Sequence, residues 1–275
     1  MTDKFMDVWD IRSFDNDLVR LLTKNGKTIQ KYFETAHRQL FEREASDHRG
    51  VPQSNPYEPA YYGLLETLEP MMAARVIRAW HYTRLTDTEV AYLVQNGPAL
   101  SDIEGIRRRL DRLVTEKILV HEDADRLFSD SIFRHSAQHE IRSGRFWATA
   151  HPISIEDGDV MPLLEHWGGE SIYFCQENPR LLDLLRVVGL PRVVELSLPL
   201  AATDRAWHAG EAVISTFAQS VGCNTRLGAF DVCARRHLGS ASILAIHSAE
   251  GAVFGSIGHD YPPTLAGIGK ITWAE

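Results

Sequence analysis

At 275 residues, with 44% hydrophobic and 24% charged side chains, the chain can bury a large core as one domain or two. Its net charge of −8 argues against non-specific binding of polyanions, and the acidity is uneven: residues 1–150 hold 21 Lys+Arg against 23 Asp+Glu, residues 151–275 hold 8 against 14. Cys175, Cys223 and Cys233 are too few and too scattered for a disulfide framework or a tetrathiolate metal site. The charged start and the lack of a run of about 18 apolar residues point to a cytoplasmic protein with no membrane partner.

In chain order, Leu18, Leu21, Leu22, Ile29, Tyr32, Phe33, Leu40 and Phe41 recur at helical spacing over 14–45, with Gly26 as the expected break. Asp47 to Pro59 is rich in turn residues and reads as a linker. A short helix is expected over 60–73, then a strand from Arg75 to Thr83. Thr86-Asp87-Thr88-Glu89 is a capping box opening a helix that Gly97 ends. Ser101-Asp102-Ile103-Glu104 is a second, for a helix with Ile103, Ile106, Leu110, Leu113 and Val114 on its core face and Arg107, Arg108, Arg109 and Arg112 outside. A further short helix is expected near 122–140.

From Gly144 the texture turns to strands: Phe146–Ala150, Ser171–Cys175, Val193–Leu198, Ile243–His247, Val253–Ile257 and Ile268–Trp273, interrupted by helices at Pro179–Val188 and Ala206–Val221. The expected fold is α+β: a helical N-terminal extension over 1–60 and an α+β domain over 75–275 built on a mixed or antiparallel sheet.

Two junctions carry candidate chemistry. His81, in Trp80-His81-Tyr82-Thr83-Arg84, ends a strand that turns sharply into a helix, where side chains tend to face clefts. In Gly168-Gly169-Glu170-Ser171-Ile172-Tyr173-Phe174, Glu170 heads another expected strand. His135 and His139 have the i,i+4 spacing of a metal site but lack a third ligand, so no metal is expected. The Gly255-Ser256-Ile257-Gly258 and Gly267-Ile268-Gly269 stretches lack the context of a phosphate loop and read as turns or bulges.

An early His on a strand, an aromatic second strand and a later strand-head Glu together resemble the His-Tyr-Glu class of ADP-ribosyltransferases. His81-Tyr82-Thr83 is similar to that class's first motif, Gly144-Arg145-Phe146-Trp147-Ala148-Thr149 to its second strand, and Gly169-Glu170-Ser171-Ile172-Tyr173-Phe174 to its catalytic strand. The resemblance implies a split sheet over roughly 75–275, NAD as substrate, and transfer of ADP-ribose to a nucleic-acid or protein acceptor. It implies that His81 bonds a ribose hydroxyl, that Tyr82, Thr83 and Arg84 line the cofactor site, and that Phe146, Trp147 or Tyr173 stacks on nicotinamide. Glu170 then stabilises the oxocarbenium-like state. By family analogy such an enzyme acts as a bacterial toxin or defence effector, with an inhibitor or antitoxin as partner. The sequence departs from the pattern in having Phe146-Trp147 where a Tyr is usual, and Gly168 where arginine-modifying members carry Gln or Glu. Two alternatives follow from the same residues: an NAD glycohydrolase, with water as acceptor, and a catalytically degenerate NAD-like binding module. A His-based metal hydrolase using His135, His139 and His151 is a third.

Overall fold

The computed structural model describes residues 5–45, 54–134, 136–225 and 230–259. Along the chain these form α1 (Asn16–Lys24), α2 (Gly26–Ala45), α3 (Glu58–Ala73), β1 (Val76–Leu85), α4 (Asp87–Asn96), α5 (Ile103–Thr115), α6 (His121–Ser129) and α7 (Ser136–Arg142). Then come β2 (Phe146–Thr149), α8 (Met161–Glu165), α9 (Glu170–Tyr173), α10 (Pro179–Val187), β3 (Leu190–Pro199), α11 (Ala206–Ser220), β4 (Asp231–Ala234) and β5 (Ile243–Ser248). The chain divides into two compact units. One draws on residues up to Arg78 and on Pro199–Phe230, the other on Ala79–Leu198 and Asp231–His259.

The first unit is helical. Leu64, Leu65, Leu68 and Met72 recur along α3 and are buried, as are Ala209, Val213, Ile214 and Phe217 on α11. Gly210 lets these helices approach closely, since a Cβ there would lie 3.3 Å from Leu65. The N-terminal segment joins them through Trp9, whose ring is buried, and through the Val8 carbonyl, which accepts from the Thr216 hydroxyl at 2.8 Å. The expected break at Gly26 falls one residue earlier. Asn25 ends α1, and its side chain donates back to the Leu21 carbonyl, while Gly26 already begins α2.

The second unit is mixed α+β around one five-stranded sheet in the order β4-β2-β1-β3-β5. The β1–β2, β2–β4 and β3–β5 pairings are antiparallel. Trp80 stands opposite Thr149, which in turn stands opposite Asp231. A helical core surrounds Trp167, with Leu110, Leu113, Leu127, Ile172, Leu181 and Leu185 fully or almost fully buried. Burying side chains of this size contributes about 1.5–3 kcal/mol each before entropy is counted.

Both capping boxes locate helix starts, with one shift. Thr86 accepts from the Glu89 N–H and Glu89 accepts from the Thr86 N–H, and Gly97 ends the helix at φ +81°. A side chain on Gly97 would strike the Leu238 carbonyl, so glycine is required there. At the second box the cap is Asp102, which accepts from Gly105, while Ser101 instead bridges to Arg145.

Two expected strands are corrected. Ser171–Cys175 is not a strand: Glu170–Tyr173 is one helical turn, α9. Gly168 and Gly169 take positive φ, +85° and +58°, which only glycine adopts cheaply, and the Gly169 carbonyl then accepts from Ile172 and Tyr173. Of the β-branched and aromatic run that suggested a strand, Ile172 enters the helical core, Tyr173 packs partly against it and Phe174 is exposed. Val253–Ile257 is likewise not a strand but a 3₁₀ turn at Phe254–Ser256, started by a bond from Phe254 N–H to the Gly251 carbonyl. Sequence reading also missed β4, whose four residues are too short to show periodicity. The expected strand Ile268–Trp273 lies outside the described residues.

Candidate functional site

His81 sits on β1 and is held by β2. Its Nδ1 lies 2.8 Å from the Trp147 carbonyl oxygen. A carbonyl only accepts, so Nδ1 carries the proton and Nε2 is left with a lone pair. Nε2 makes no hydrogen bond to a described residue. The imidazole packs against Phe146 at 4.6 Å between ring centres. Burial pushes the His81 pKa down to about 4; the bond to Trp147 works the other way, and the positive charge of Arg109 adds to the lowering. At neutral pH His81 is therefore an uncharged hydrogen-bond acceptor in a fixed tautomer.

The residues after His81 are committed to the fold. The Tyr82 hydroxyl accepts from the Ile153 N–H at 2.6 Å and donates to the Ile153 carbonyl at 2.8 Å, clasping that loop to the sheet. Burial, chiefly, raises its pKa. Thr83 is buried. Arg84 donates to the Val188 carbonyl at 2.8 Å, just past the end of α10, and to the Leu164 carbonyl at 3.3 Å. Tyr82 ties β1 to the Ile153 loop and Arg84 ties it to the helices, so the Tyr82 hydroxyl and the Arg84 guanidinium already have partners.

Arg107, Arg108 and Arg109, alike in sequence, have different fates. Arg107 pairs with Asp111 and Asp125, each at 2.6 Å, and Arg108 approaches Asp102 and Glu104. Arg109 turns inward. Its Nε donates to Glu89 at 2.7 Å and its guanidinium lies 4.6 Å from the centre of the Trp167 ring. Glu89 also accepts from the Trp167 indole N–H at 2.7 Å and from the Thr86 backbone N–H at 3.0 Å. Burial alone would raise the Glu89 carboxyl, but Arg109 and these hydrogen bonds outweigh it and hold it below the ordinary range. The capping box announced Glu89, but nothing local announces the long-range partners Arg109 and Trp167. One Arg109 Nη is buried without a hydrogen-bond partner.

Glu170 lies elsewhere in this unit. On α9 it accepts from Arg142 at 2.7 Å, and Arg142 also lies over the Phe174 ring at 5.8 Å. Tyr173 packs its ring 5.1 Å from that of His166. Burial, then the negative charge of Glu170, pushes the Tyr173 pKa up to about 12, with Arg142 opposing. Trp147 is half-buried, with the Arg145 guanidinium 5.9 Å from its ring centre. Of the sequence-predicted residues, the structure thus gathers His81, Phe146 and the Trp147 backbone into one group and Glu170 with Tyr173 into another. No described hydrogen bond, ion pair or ring contact joins Glu170 to His81.

Two carboxylates do stand on the sheet. Glu195 on β3 lies 3.1 Å from the His247 imidazole on β5. Asp231 opens β4, beside β2. A depression of about 400 Å³ lined by Glu122, Asp123, Arg126, Asn178 and Arg180, among others, contains none of the predicted residues, and Arg180 pairs with Asp123 across it. His135 lies outside the described residues. Among the described residues no three His, Cys, Asp or Glu side chains are grouped to hold a metal, and no helix is long and apolar enough to cross a membrane. Comparison with protein families, with characterised proteins and with solved structures finds no match to this chain.

Proposed function

We propose that the chain is an NAD-dependent ADP-ribosyltransferase, a glycosyltransferase acting on NAD, with His81 as the ribose anchor. The observation that supports this reading is the tautomer of His81. With Nδ1 donating to the Trp147 carbonyl and the imidazole uncharged, Nε2 can accept from a ribose hydroxyl, as an imidazolium could not. NAD, as substrate, supplies the nicotinamide leaving group. Fixing the ribose at a rigid strand removes part of the entropic barrier. Phe146, in contact with the imidazole, is the stacking residue nearest to it. Tyr82, Thr83 and Arg84 act by positioning β1. On this reading the five-stranded sheet is the split sheet of that family.

Glu170 is the proposed carboxylate opposite the positive charge that develops on the ribose, a role that needs it released from Arg142. That ion pair, on a helical turn rather than a strand, supports a second reading in which the chain binds an NAD-like ligand without turning it over.

The test is nicotinamide release from NAD by the purified chain, with and without a cell extract and labelled NAD. The variants are Glu170→Gln, Asp231→Asn and His81→Ala. Release lost in His81→Ala and Glu170→Gln supports the transferase reading, and the labelled nucleic acid or protein names the acceptor; release without labelled product makes water the acceptor. Release lost in Asp231→Asn but kept in Glu170→Gln moves the carboxylate to β4. No release from folded wild type sinks the catalytic reading in favour of the binding module.

A further inference from the structure

The helical unit carries a ladder of aromatic rings reaching its surface. Tyr32 on α2 stacks on Tyr61 of α3, 3.9 Å between centres and 9° between planes. Tyr61 meets Tyr62 edge to face at 5.8 Å, and Tyr62 lies near-parallel to Trp207 of α11 at 6.3 Å and 20°. Tyr61 is buried, Tyr32 and Trp207 are half-buried, and Tyr62 is 42% exposed. Each of the two facing helices adds a carboxylate one turn from its aromatic: Glu58 precedes Tyr62 by four residues on α3, and Glu211 follows Trp207 by four on α11.

These groups converge. Helical spacing sets each carboxylate beside its own aromatic, and the Tyr62–Trp207 contact brings the two pairs together at the exposed end of the ladder. Neither Glu58 nor Glu211 is ion-paired with a described residue. Ring faces carry negative potential and so do the carboxylates, and a cation answers both at once. Phosphate would be repelled, which excludes nucleic acid as the occupant. Between the two cationic side chains, the flat and weakly hydrated guanidinium stacks on aromatic planes, whereas the ammonium is a hydrated point charge.

We propose that Tyr62, Trp207, Glu58 and Glu211 form a binding site for an arginine side chain in an exposed segment of a partner protein. The guanidinium lies on the exposed ring of Tyr62 and is flanked by the two carboxylates. This site does not depend on any chemistry at His81.

The experiment titrates the full chain into a fluorescently labelled glycine-spaced arginine peptide, and into the same peptide with citrulline, which keeps the shape and removes the charge, or with lysine. The arginine peptide is expected to bind about tenfold more tightly than the citrulline peptide and severalfold more tightly than the lysine peptide. Glu58→Gln with Glu211→Gln should weaken it about tenfold. Tyr62→Leu, which keeps the apolar bulk but removes the π face, should weaken it about fivefold. Circular dichroism confirms that these surface variants are folded. Equal binding of arginine and citrulline peptides, indifference to either variant, no binding at millimolar concentration, or binding of a control oligonucleotide in place of the peptide would each overturn the assignment.

Discussion

Two arginine–glutamate pairs in the α+β unit share an N–O separation of 2.7 Å and differ in nearly everything else. Glu89 is 7% exposed and accepts from Arg109, Trp167 and the start of its own helix. Glu170 is 46% exposed and, among the described residues, accepts from Arg142 alone. The first carboxylate is a structural anchor: taking a charge out of water is costly, and a full set of donors is what offsets it. The second holds its partner in a screened surface pair, which leaves it free to exchange that partner for another. Distance alone would have ranked them equal; burial and donor count decide which one the fold depends on.

The sharpest way to break this comparison is Glu89→Ala. It strips four donors (the Arg109 Nε, the Trp167 indole, and the backbone N–H and hydroxyl of Thr86) of their acceptor, and leaves a guanidinium packed on Trp167 without its counterion. Removing one partner of a buried pair costs about 3–5 kcal/mol, and the partial exposure of Arg109 puts the expected loss near 3 kcal/mol. Urea denaturation measures it; a loss below about 1 kcal/mol would show that Glu89 is no anchor.

A pH series sharpens the contrast from another side. His81 and His151 are both held near pKa 4 by burial, below the ~6.5 of an unfolded chain. Between those values the unfolded chain binds more protons, so their contribution is complete above about pH 6.5 and is lost as pH falls toward 4. Allowing for the partial exposure of His81, its share is on the order of 2 kcal/mol. Glu89, with its folded pKa lowered, has the second acid step: its contribution is present above the unfolded carboxyl pKa and disappears as pH drops through the folded one. Stability measured from pH 7 to 3 should therefore fall in two stages, and His81→Asn should flatten the upper one. An unchanged upper stage in that variant would count against a neutral, buried His81.

The smallest effect belongs to Glu170→Gln. Losing an exposed pair should change stability by less than about 1 kcal/mol, so any loss of nicotinamide release in that variant reports on chemistry. A drop as large as that of Glu89→Ala would make Glu170 a second anchor and remove it from the candidate site.

The sequence exposed features whose physics is local. The capping box at Thr86 and Glu89, the stop at Gly97 and the helix over Pro179–Val187 depend on neighbours within a turn or two, and each stands where local chemistry puts it. The strand pattern at Ser171–Cys175 misled because Ile172 and Tyr173 are apolar for a different reason: two glycines at positive φ fold them into a turn beneath the helical core. Around His81, the sequence pointed to the residue but not to its state. The tautomer is set by a carbonyl 66 positions away, and the charge on Arg109 that bears on it comes from a helix whose arginines are indistinguishable in sequence. What separates Arg109 from Arg107 and Arg108 is the side of α5 that meets Trp167, a contact made only in the folded chain.

The central place of β1 in the sheet has a consequence for synthesis. Trp80 is made early, and Thr149, its neighbour on β2, follows 69 residues later. At about 5–20 residues per second the ribosome takes roughly 3–14 s to deliver it. For that interval the part of the strand beyond Arg78, carrying Ala79, Trp80 and Tyr82, stands without its β2 partner, while only the Ile77 end has its neighbour, Met6, already made. An open strand edge is the condition under which nascent chains associate with one another. Every newly made copy passes through this window before the first sheet hydrogen bond of its α+β unit can close.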